Sequence, residues 1–292
     1  MHAHELSGAV ETIEPAPAKI NLALHVTGQR ADGYHLLETL VTFTDAGDVI
    51  RIRDADQDSF SMSGRFGPTL ESSGDPASNL VLRARDLLRQ AGVKSTPVSI
   101  HLEKNLPIAS GIGGGSADAA AALRGLMRHW SVPLTSEKLD EIALLLGADV
   151  PMCLASQPLI ARGIGEEITP VALPALAMVL VNPLKGVSTP EIFRRLTAKT
   201  NAPLPAIHGD WAASLAALRN DLQPPAMALL PEISQSLTLL TEAGASIARI
   251  SGSGATCYGI FASSDEASTA RDAIRAHQPE WYVEATMTRT GH

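Results

Sequence analysis

Pro107-Ile108-Ala109-Ser110-Gly111-Ile112-Gly113-Gly114-Gly115-Ser116-Ala117-Asp118 is the stretch on which the reading of this chain turns. It follows an alternating, strand-like run, Val98 to Leu102, across Glu103, Lys104 and Asn105. It opens directly into Ala119 to Leu123, a strong helix former. Glycines at 111, 113, 114 and 115 carry no Cβ and tolerate positive φ. Successive backbone N–H groups can then converge on an anion, and a helix starting near Ser116 adds unpaired donors and the positive end of its dipole. A glycine loop feeding a helix start is suited to phosphate. The plainer alternative is a flexible surface turn.

Two familiar phosphate loops fit poorly. The P-loop requires Gly-Lys-Ser/Thr at its end, whereas Gly115 is followed by Ser116 and Ala117. The dinucleotide fingerprint requires three spaced glycines and an acid about 20 residues on. Gly111 and Gly113 meet it, but Ser116 holds the third place, and Arg128 to Pro133 supplies no acid.

Working outward, Ala18 to Thr27 reads as a strand. Ile20, Leu22, Leu24 and Val26 alternate with Lys19, Asn21, Ala23 and His25. Lys19 and Asn21 then lie side by side on the polar face, either solvated or gathered into a site. Pro15 and Pro17 mark an extended lead-in. Gly28 to Tyr34 is a turn. Leu36 to Thr44 and Asp48 to Arg53 are expected as a hairpin joined through Asp45-Ala46-Gly47. Phe60 to Ser63 is a short strand, and Gly64 to Asp75 a loop. Ser78 or Asn79 caps a helix to about Ala91, and Ser136 starts another that ends at Gly147. Gly147-Ala148-Asp149-Val150-Pro151 puts Asp149 at a helix start, where it is either an ordinary cap or a functional carboxylate.

The second half opens after glycine- and proline-rich punctuation over Gly163 to Glu167 and Pro170 to Pro174. Ala177 to Val181, Ile247 to Ile250, Thr256 to Phe261 and Trp281 to Met287 read as strands. Helices are expected from Thr189-Pro190, over Trp211 to Leu218, Pro225 to Leu230, Glu232 to Thr241 and Glu266 to His277, with Asn201 to Gly209 as a connection. Ser251-Gly252-Ser253-Gly254-Ala255 is a second small-residue loop. The fold class is mixed α/β of the α+β type, divided into residues 1–160 and 161–292.

Composition narrows the function classes. The 292 residues are 45% hydrophobic and 18% charged, a globular balance. A net charge of −8 argues against a global nucleic-acid footprint, so anion binding is local. Cys153 and Cys257, the 2 cysteines, have no metal-ligand spacing and read as buried thiols. Met1 to Val10 has no basic segment followed by an apolar run, and the longest apolar run, Pro174 to Val181, is too short to span a bilayer. The expectation is a cytoplasmic protein with no nucleic-acid or membrane partner.

Four stretches together carry a resemblance. Pro17-Ala18-Lys19-Ile20-Asn21-Leu22 with Gly28-Gln29-Arg30-Ala31-Asp32-Gly33-Tyr34-His35, the 107–118 loop, Gly147-Ala148-Asp149-Val150-Pro151, and Ser251 to Ala255 are similar, in order, to the motifs of the GHMP kinases. Within them they resemble the branch whose substrate carries a cytidine diphosphate. Ala117 departs from that branch's usual serine. The resemblance implies two domains with the site in the cleft between them, and ATP with Mg²⁺ as cofactors. It implies catalytic roles for Lys19 and Asp149, nucleotide phosphates held by Pro107, Ile108, Ala109, Ser110, Gly111, Ile112, Gly113, Gly114, Gly115, Ser116 and Ala117, and substrate contacts from Asn21, Tyr34, His35 and Phe193. Tyr34 and Phe193 are expected to clamp the cytosine, although Phe193 also reads as a core residue of an amphipathic helix. Metal ligands are not identified, Ser116 being a candidate for metal contact or helix cap. The alternatives are another small-molecule kinase of the family, which lacks Tyr34-His35 in this context, or a non-catalytic nucleotide-binding sensor, which has no need of Lys19 and Asp149.

Overall fold

A long two-stranded ribbon forms the spine of the molecule. The computed structural model describes residues 11–73, 79–207 and 211–291, so Met1 to Val10 lie outside it. β1 (Thr12–Gln29) and β2 (His35–Asp54) pair antiparallel along nearly their whole length. β1 starts ahead of the expected strand and takes Pro15 and Pro17 into it, with a register shift between Pro17 and Lys19. Proline donates nothing to a ladder, so it is tolerated beside such an irregularity. The expected hairpin through Asp45-Ala46-Gly47 is corrected: β2 continues straight through. Gly47 lies against β1, where a Cβ would come within 2.5 Å of the Ala16 carbonyl oxygen. The glycine permits close approach of two strands rather than a turn.

β3 (Ser59–Ser63) leads to α1 (Gly67–Ser73), a short helix in a stretch expected as loop; Asp75, the end of that stretch, lies outside the described residues. α2 (Leu80–Gln90) is capped by Asn79, whose side chain accepts from Val81 N; Ser78 lies outside the described residues. β4 (Val98–Glu103), α3 (Gly114–His129), α4 (Ser136–Leu146), α5 (Val150–Ala155), β5 (Leu159–Gly163) and β6 (Glu167–Pro170) follow. Thr135, rather than Ser136, caps α4. The strands form a sheet in the order β3-β4-β2-β5-β6, with β1 also on β2; only β3 and β4 pair parallel. The expected division at 160/161 falls inside β5, and the chain leaves this sheet after Pro170.

The second sheet is antiparallel, ordered β10 (Tyr282–Met287), β7 (Ala177–Asn182), β9 (Cys257–Phe261) and β8 (Ile247–Ile250). Its helices are α6 (Thr189–Arg194), α7 (Trp211–Ala217), α8 (Gln223–Leu229), α9 (Pro231–Glu242) and α10 (Ser264–His277). Gly209, in the expected connection before α7, lies outside the described residues.

Three buried clusters join these layers. Small residues Ala119 to Ala122 let α3 lie close on the first sheet, among Phe43, Ile50, Ile52 and Ile100. At Gly125 a Cβ would lie 2.8 Å from Ile52 Cδ1. The apolar face of β1, Ala18, Ile20 and Leu22, meets Met178, Leu180 and Tyr258 of the second sheet. Tyr258 donates its hydroxyl to the Leu22 carbonyl at 2.8 Å. Farther along β1, Leu24 and Val26 enter the core of the second half. One strand thus belongs to all the packing that frames the cleft. Among the described residues no helix is long and apolar enough to cross a membrane.

Candidate active site

The alternation of β1 that buries Ile20 and Leu22 turns Lys19 and Asn21 the other way. They are not solvated: both are buried, Lys19 at 5% exposure and Asn21 at 3%. Lys19 Nζ lies 2.9 Å from Asp149 Oδ2. Asp149 immediately precedes α5, yet its side chain makes no capping hydrogen bond. Its carboxylate is 41% exposed and reaches across to β1 instead. Asn21 donates Nδ2 to Thr39 Oγ1 at 2.8 Å, while its Oδ1 is buried with no partner. A buried amide oxygen without a donor is costly, and this one belongs to a residue that lines the cleft.

The glycine loop is locked from both sides. Lys19 N donates to the Ile112 carbonyl at 2.9 Å. Gly111 and Gly113 take φ of +76° and +65°, whereas Gly114 and Gly115 are the first residues of α3. The helix therefore starts two residues before Ser116, and Ser116 lies inside it rather than capping it. Gly113 occupies the cap position and has no side chain to offer, so it caps none of the first amides of α3. At Gly111 a Cβ would come within 2.5 Å of the Gly254 carbonyl oxygen and 2.6 Å of that of Ser251. The loop 251–255 thus backs the glycine loop directly. Ser251 Oγ donates to the Gly111 carbonyl at 2.9 Å and accepts from Asn21 N at 3.0 Å; Thr256 N donates to the Ser110 carbonyl at 3.1 Å.

A cavity of about 500 Å³ opens over this assembly. Pro107, Ile108, Ala109, Ser110, Gly111, Gly113, Gly114, Gly115 and Ser116 line it, with Lys19, Asn21 and Asp149; Ile112 and Ala117 are buried in the core instead. Leu70 and Leu80 give one end an apolar wall. A second cavity of about 860 Å³ adjoins it, sharing Ser116, Asp149, Thr189 and Phe193. Asp149 therefore stands where the two spaces meet.

Tyr34, His35 and Phe193 all line the second cavity. Phe193 faces His35, with ring centroids 4.7 Å apart and planes 26° from parallel. Tyr34 is 63% exposed on the turn at the rim. One face of the Phe193 ring is thus covered by the His35 ring. Burial, and secondarily the Lys199 charge, lower the His35 pKa and favour the neutral imidazole.

Sequence reasoning missed a buried charged cluster, Lys104 with Asp48 and Asp118, directly under the loop. The available signal was a lone aspartate, Asp118, within an alanine run, and a lysine just before the loop. It also missed the 2.7 Å contact between Thr189 Oγ1 and Ser253 Oγ, which ties the helix bearing Phe193 to the second glycine loop.

Comparisons with known proteins give the chain its family. Sequence models of the GHMP kinases N terminal domain and GHMP kinases C terminal match residues 79–157 and 204–280. The 4-diphosphocytidyl-2-C-methyl-D-erythritol kinase of Agrobacterium fabrum is 65% identical, over 99% of this chain and 100% of the relative. That of Rhizobium leguminosarum is 61% identical, over 98% of each. The crystal structure of a 4-(cytidine 5'-diphospho)-2C-methyl-D-erythritol kinase superposes with a TM-score of 0.81 at 32% identity, covering 96% of this chain and 100% of that one.

Proposed function

The chain belongs to the GHMP kinases, and from that premise we infer that it uses ATP to phosphorylate the 2-hydroxyl of 4-diphosphocytidyl-2-C-methyl-D-erythritol, in the non-mevalonate route to isoprenoid precursors. The observation that carries the reading is the Lys19–Asp149 pair at the meeting point of the two cavities, beside the uncapped start of α3. Whole-length relatives of this name support the choice of alcohol.

In this reading residues 1–160 supply most of the nucleotide side, and residues 161–292 close the substrate side through Thr189 and Phe193. The amides at the start of α3 and the glycine loop hold the ATP phosphates. Asn21, with its unpartnered oxygen, accepts a hydrogen bond from the alcohol. The alcohol oxygen attacks the γ-phosphorus, its proton passes to Asp149, and ADP leaves. Lys19, 2.9 Å from that carboxylate, compensates the negative charge that gathers on the transferring group. Cytosine stacks between Tyr34 and Phe193 once the His35 ring turns off the Phe193 face, and His35 then reads the base edge.

Mg²⁺ fits these residues. Among the described residues no group of three or more His, Cys, Asp or Glu could hold a metal by itself. Mg²⁺ asks for less, since it keeps waters and shares phosphate oxygens with one or two protein oxygens. Ser116, which has no capping duty, would hold it. Bound there, it would neutralise charge on the phosphates.

The test is incubation of the protein with ATP, Mg²⁺ and each candidate alcohol: the diphosphocytidyl erythritol, homoserine and mevalonate. Phosphorus NMR should show a new phosphomonoester only with the first. Turnover of homoserine or mevalonate alone would move the chain to another branch, and no turnover with any would favour the sensor.

A further inference from the structure

The carbonyl groups on either side of Ser251 are held by one side chain. Asn220, which is buried, donates Nδ2 to the Ile250 carbonyl at 3.0 Å and to the Gly252 carbonyl at 2.9 Å. Its Oδ1 accepts the Leu222 N–H at 2.9 Å. Both amide hydrogens are used, so the amide has one orientation: turned over, it would set an oxygen against two carbonyl oxygens. Between the gripped carbonyls stands Ser251. Its hydroxyl donates to the Gly111 carbonyl at 2.9 Å and accepts the Asn21 N–H at 3.0 Å. Gly252 follows at φ +55°, where a Cβ would lie 3.0 Å from the Gly111 carbonyl oxygen and 3.3 Å from Asn21 Oδ1.

The backbone around Asn220 is fixed to β1. Leu24 N donates to the Arg219 carbonyl at 3.0 Å, and Asp221 N donates back to the Leu24 carbonyl at 2.8 Å. Val26 N donates to Asp221 Oδ2 at 2.8 Å. Asn220 thus forms a parallel bridge with Leu24, on the strand that also carries Lys19 and Asn21. Asn220 lines a different cavity, beside Arg219 and Gln223, from the one that Asn21, Gly111 and Gly252 line. It can therefore serve the chemistry only through the loop it grips. The bond from Leu222 accounts for the turn into α8; the two bonds to Ile250 and Gly252 point to the cleft.

We propose that Asn220 is a positioning residue for the phosphoryl transfer. Held to β1 by its backbone and to residues 250 and 252 by its amide, it sets the Ser251 hydroxyl between Gly111 and Asn21. It thereby sets the spacing of the glycine loop from the asparagine that receives the alcohol. The proposal rests on the phosphoryl-transfer reading given above, in which ATP phosphates lie on the glycine loop and the alcohol lies at Asn21. An error in that spacing lets each ligand bind but misaligns the two, and about 1 Å of misplacement can cost about 10²-fold in rate.

The test is Asn220→Asp, which keeps the acceptor for Leu222 N and replaces the gripping NH₂ by an oxygen. With the diphosphocytidyl erythritol, kcat should fall by about tenfold or more. The separate dissociation constants for ATP and for the alcohol should stay within about threefold of wild type. Ser251→Ala removes the hydroxyl through which Asn220 acts, so the double variant should be no more than about twofold slower than the slower single one. Wild-type kcat in Asn220→Asp, a loss carried wholly by either dissociation constant, or losses that multiply in the double variant would overturn the proposal. Amide hydrogen exchange gives a readout that needs no substrate. The Asn21 N–H, bonded to Ser251 Oγ, should exchange about tenfold faster in Asn220→Asp while the Ile52 N–H, in the first sheet, does not change. No acceleration at Asn21, or equal acceleration at both, would make Asn220 a contributor to stability alone and overturn the proposal. If the aspartate variant does not fold, Asn220→Ser, whose short hydroxyl still accepts from Leu222 N, carries both measurements; failure of both variants to fold would assign Asn220 to the fold and sink the idea. If the wild type phosphorylates none of the alcohols the assigned reaction is at fault, and exchange at Asn21 still decides whether Asn220 places Ser251.

Discussion

Two lysine–aspartate assemblies flank the same glycine loop and meet water differently. Lys104, Asp48 and Asp118 are sealed, with side-chain exposures of 3%, 0% and 3%. Lys19 is nearly as buried at 6%, but its partner Asp149 is 41% exposed. Removing one partner from a sealed cluster leaves an uncompensated charge and typically costs about 3–5 kcal/mol. In the Lys19–Asp149 pair only the ammonium is withdrawn from water, and the carboxylate stays within reach of a ligand in the cavities it lines.

The largest expected effect probes the open side. Asp149→Asn should lower turnover by about 10²–10⁴-fold, while the melting temperature and ATP affinity stay close to wild type. Near-normal turnover would erase the functional difference between the two assemblies. Gly111→Ala comes next and attacks the shape of the loop. A non-glycine residue at φ +76° costs about 1–2 kcal/mol, before its Cβ meets the Gly254 carbonyl. ATP affinity should fall by more than about tenfold, with the protein still folded by circular dichroism. Unchanged binding would mean that the loop does not need its backing.

Tyr34→Ala tests the exposed rim. Loss of one stacking partner costs roughly 1–3 kcal/mol per base, so KM for the cytidine substrate should rise about tenfold with KM for ATP unmoved. A rise in the ATP constant instead would exchange the two cavities. The smallest effect is in the pH dependence of stability. His25 and His35 both have pKa values lowered from 6.5, in each case first by burial, and then by Arg219 and Lys199 respectively. The unfolded chain takes up these protons first as pH falls, so their contribution to stability is full above 6.5 and declines below it. Asp118, raised rather than lowered, acts with the opposite sign. The useful measurement is therefore the difference between wild type and His35→Asn: the variant should lose less of its melting temperature between about pH 7 and about pH 5. A steeper loss in the variant would contradict the assignment.

Local features were legible in the sequence and distant ones were not. The alternation of β1 correctly separated Lys19 and Asn21 from Ile20 and Leu22, because period two is a property of the strand itself. It did not show that the polar face is covered, since the covering residues, such as Asp149 and Ser251, lie more than a hundred positions away. Gly47 read as a turn because glycine's freedom and glycine's small size look alike in a sequence; only the β1 backbone beside it distinguishes them. Gly111 to Gly115 were recognised as a loop, but the split between left-handed Gly111 and Gly113 and helical Gly114 and Gly115 depends on what each residue packs against. Asp118 was hidden by its neighbours: an alanine run announces burial, yet nothing in it announces Lys104 and Asp48.

The backing of the phosphate loop by residues 251–255 has a consequence for the order in which the protein is made. A nascent chain emerges from the ribosome with the glycine loop complete more than a hundred residues before Ser251 and Gly254 appear. Until they do, Gly111 lacks the Ser251 hydroxyl that holds its carbonyl, and Asn21 lacks an acceptor for its backbone N–H. Contacts spanning so much of the chain are formed late and slowly. A polypeptide stopped before Ser251 would therefore carry the whole glycine motif without the wall that fixes it. Premature termination anywhere upstream of that serine removes the contacts that Ser251 makes with Gly111 and Asn21.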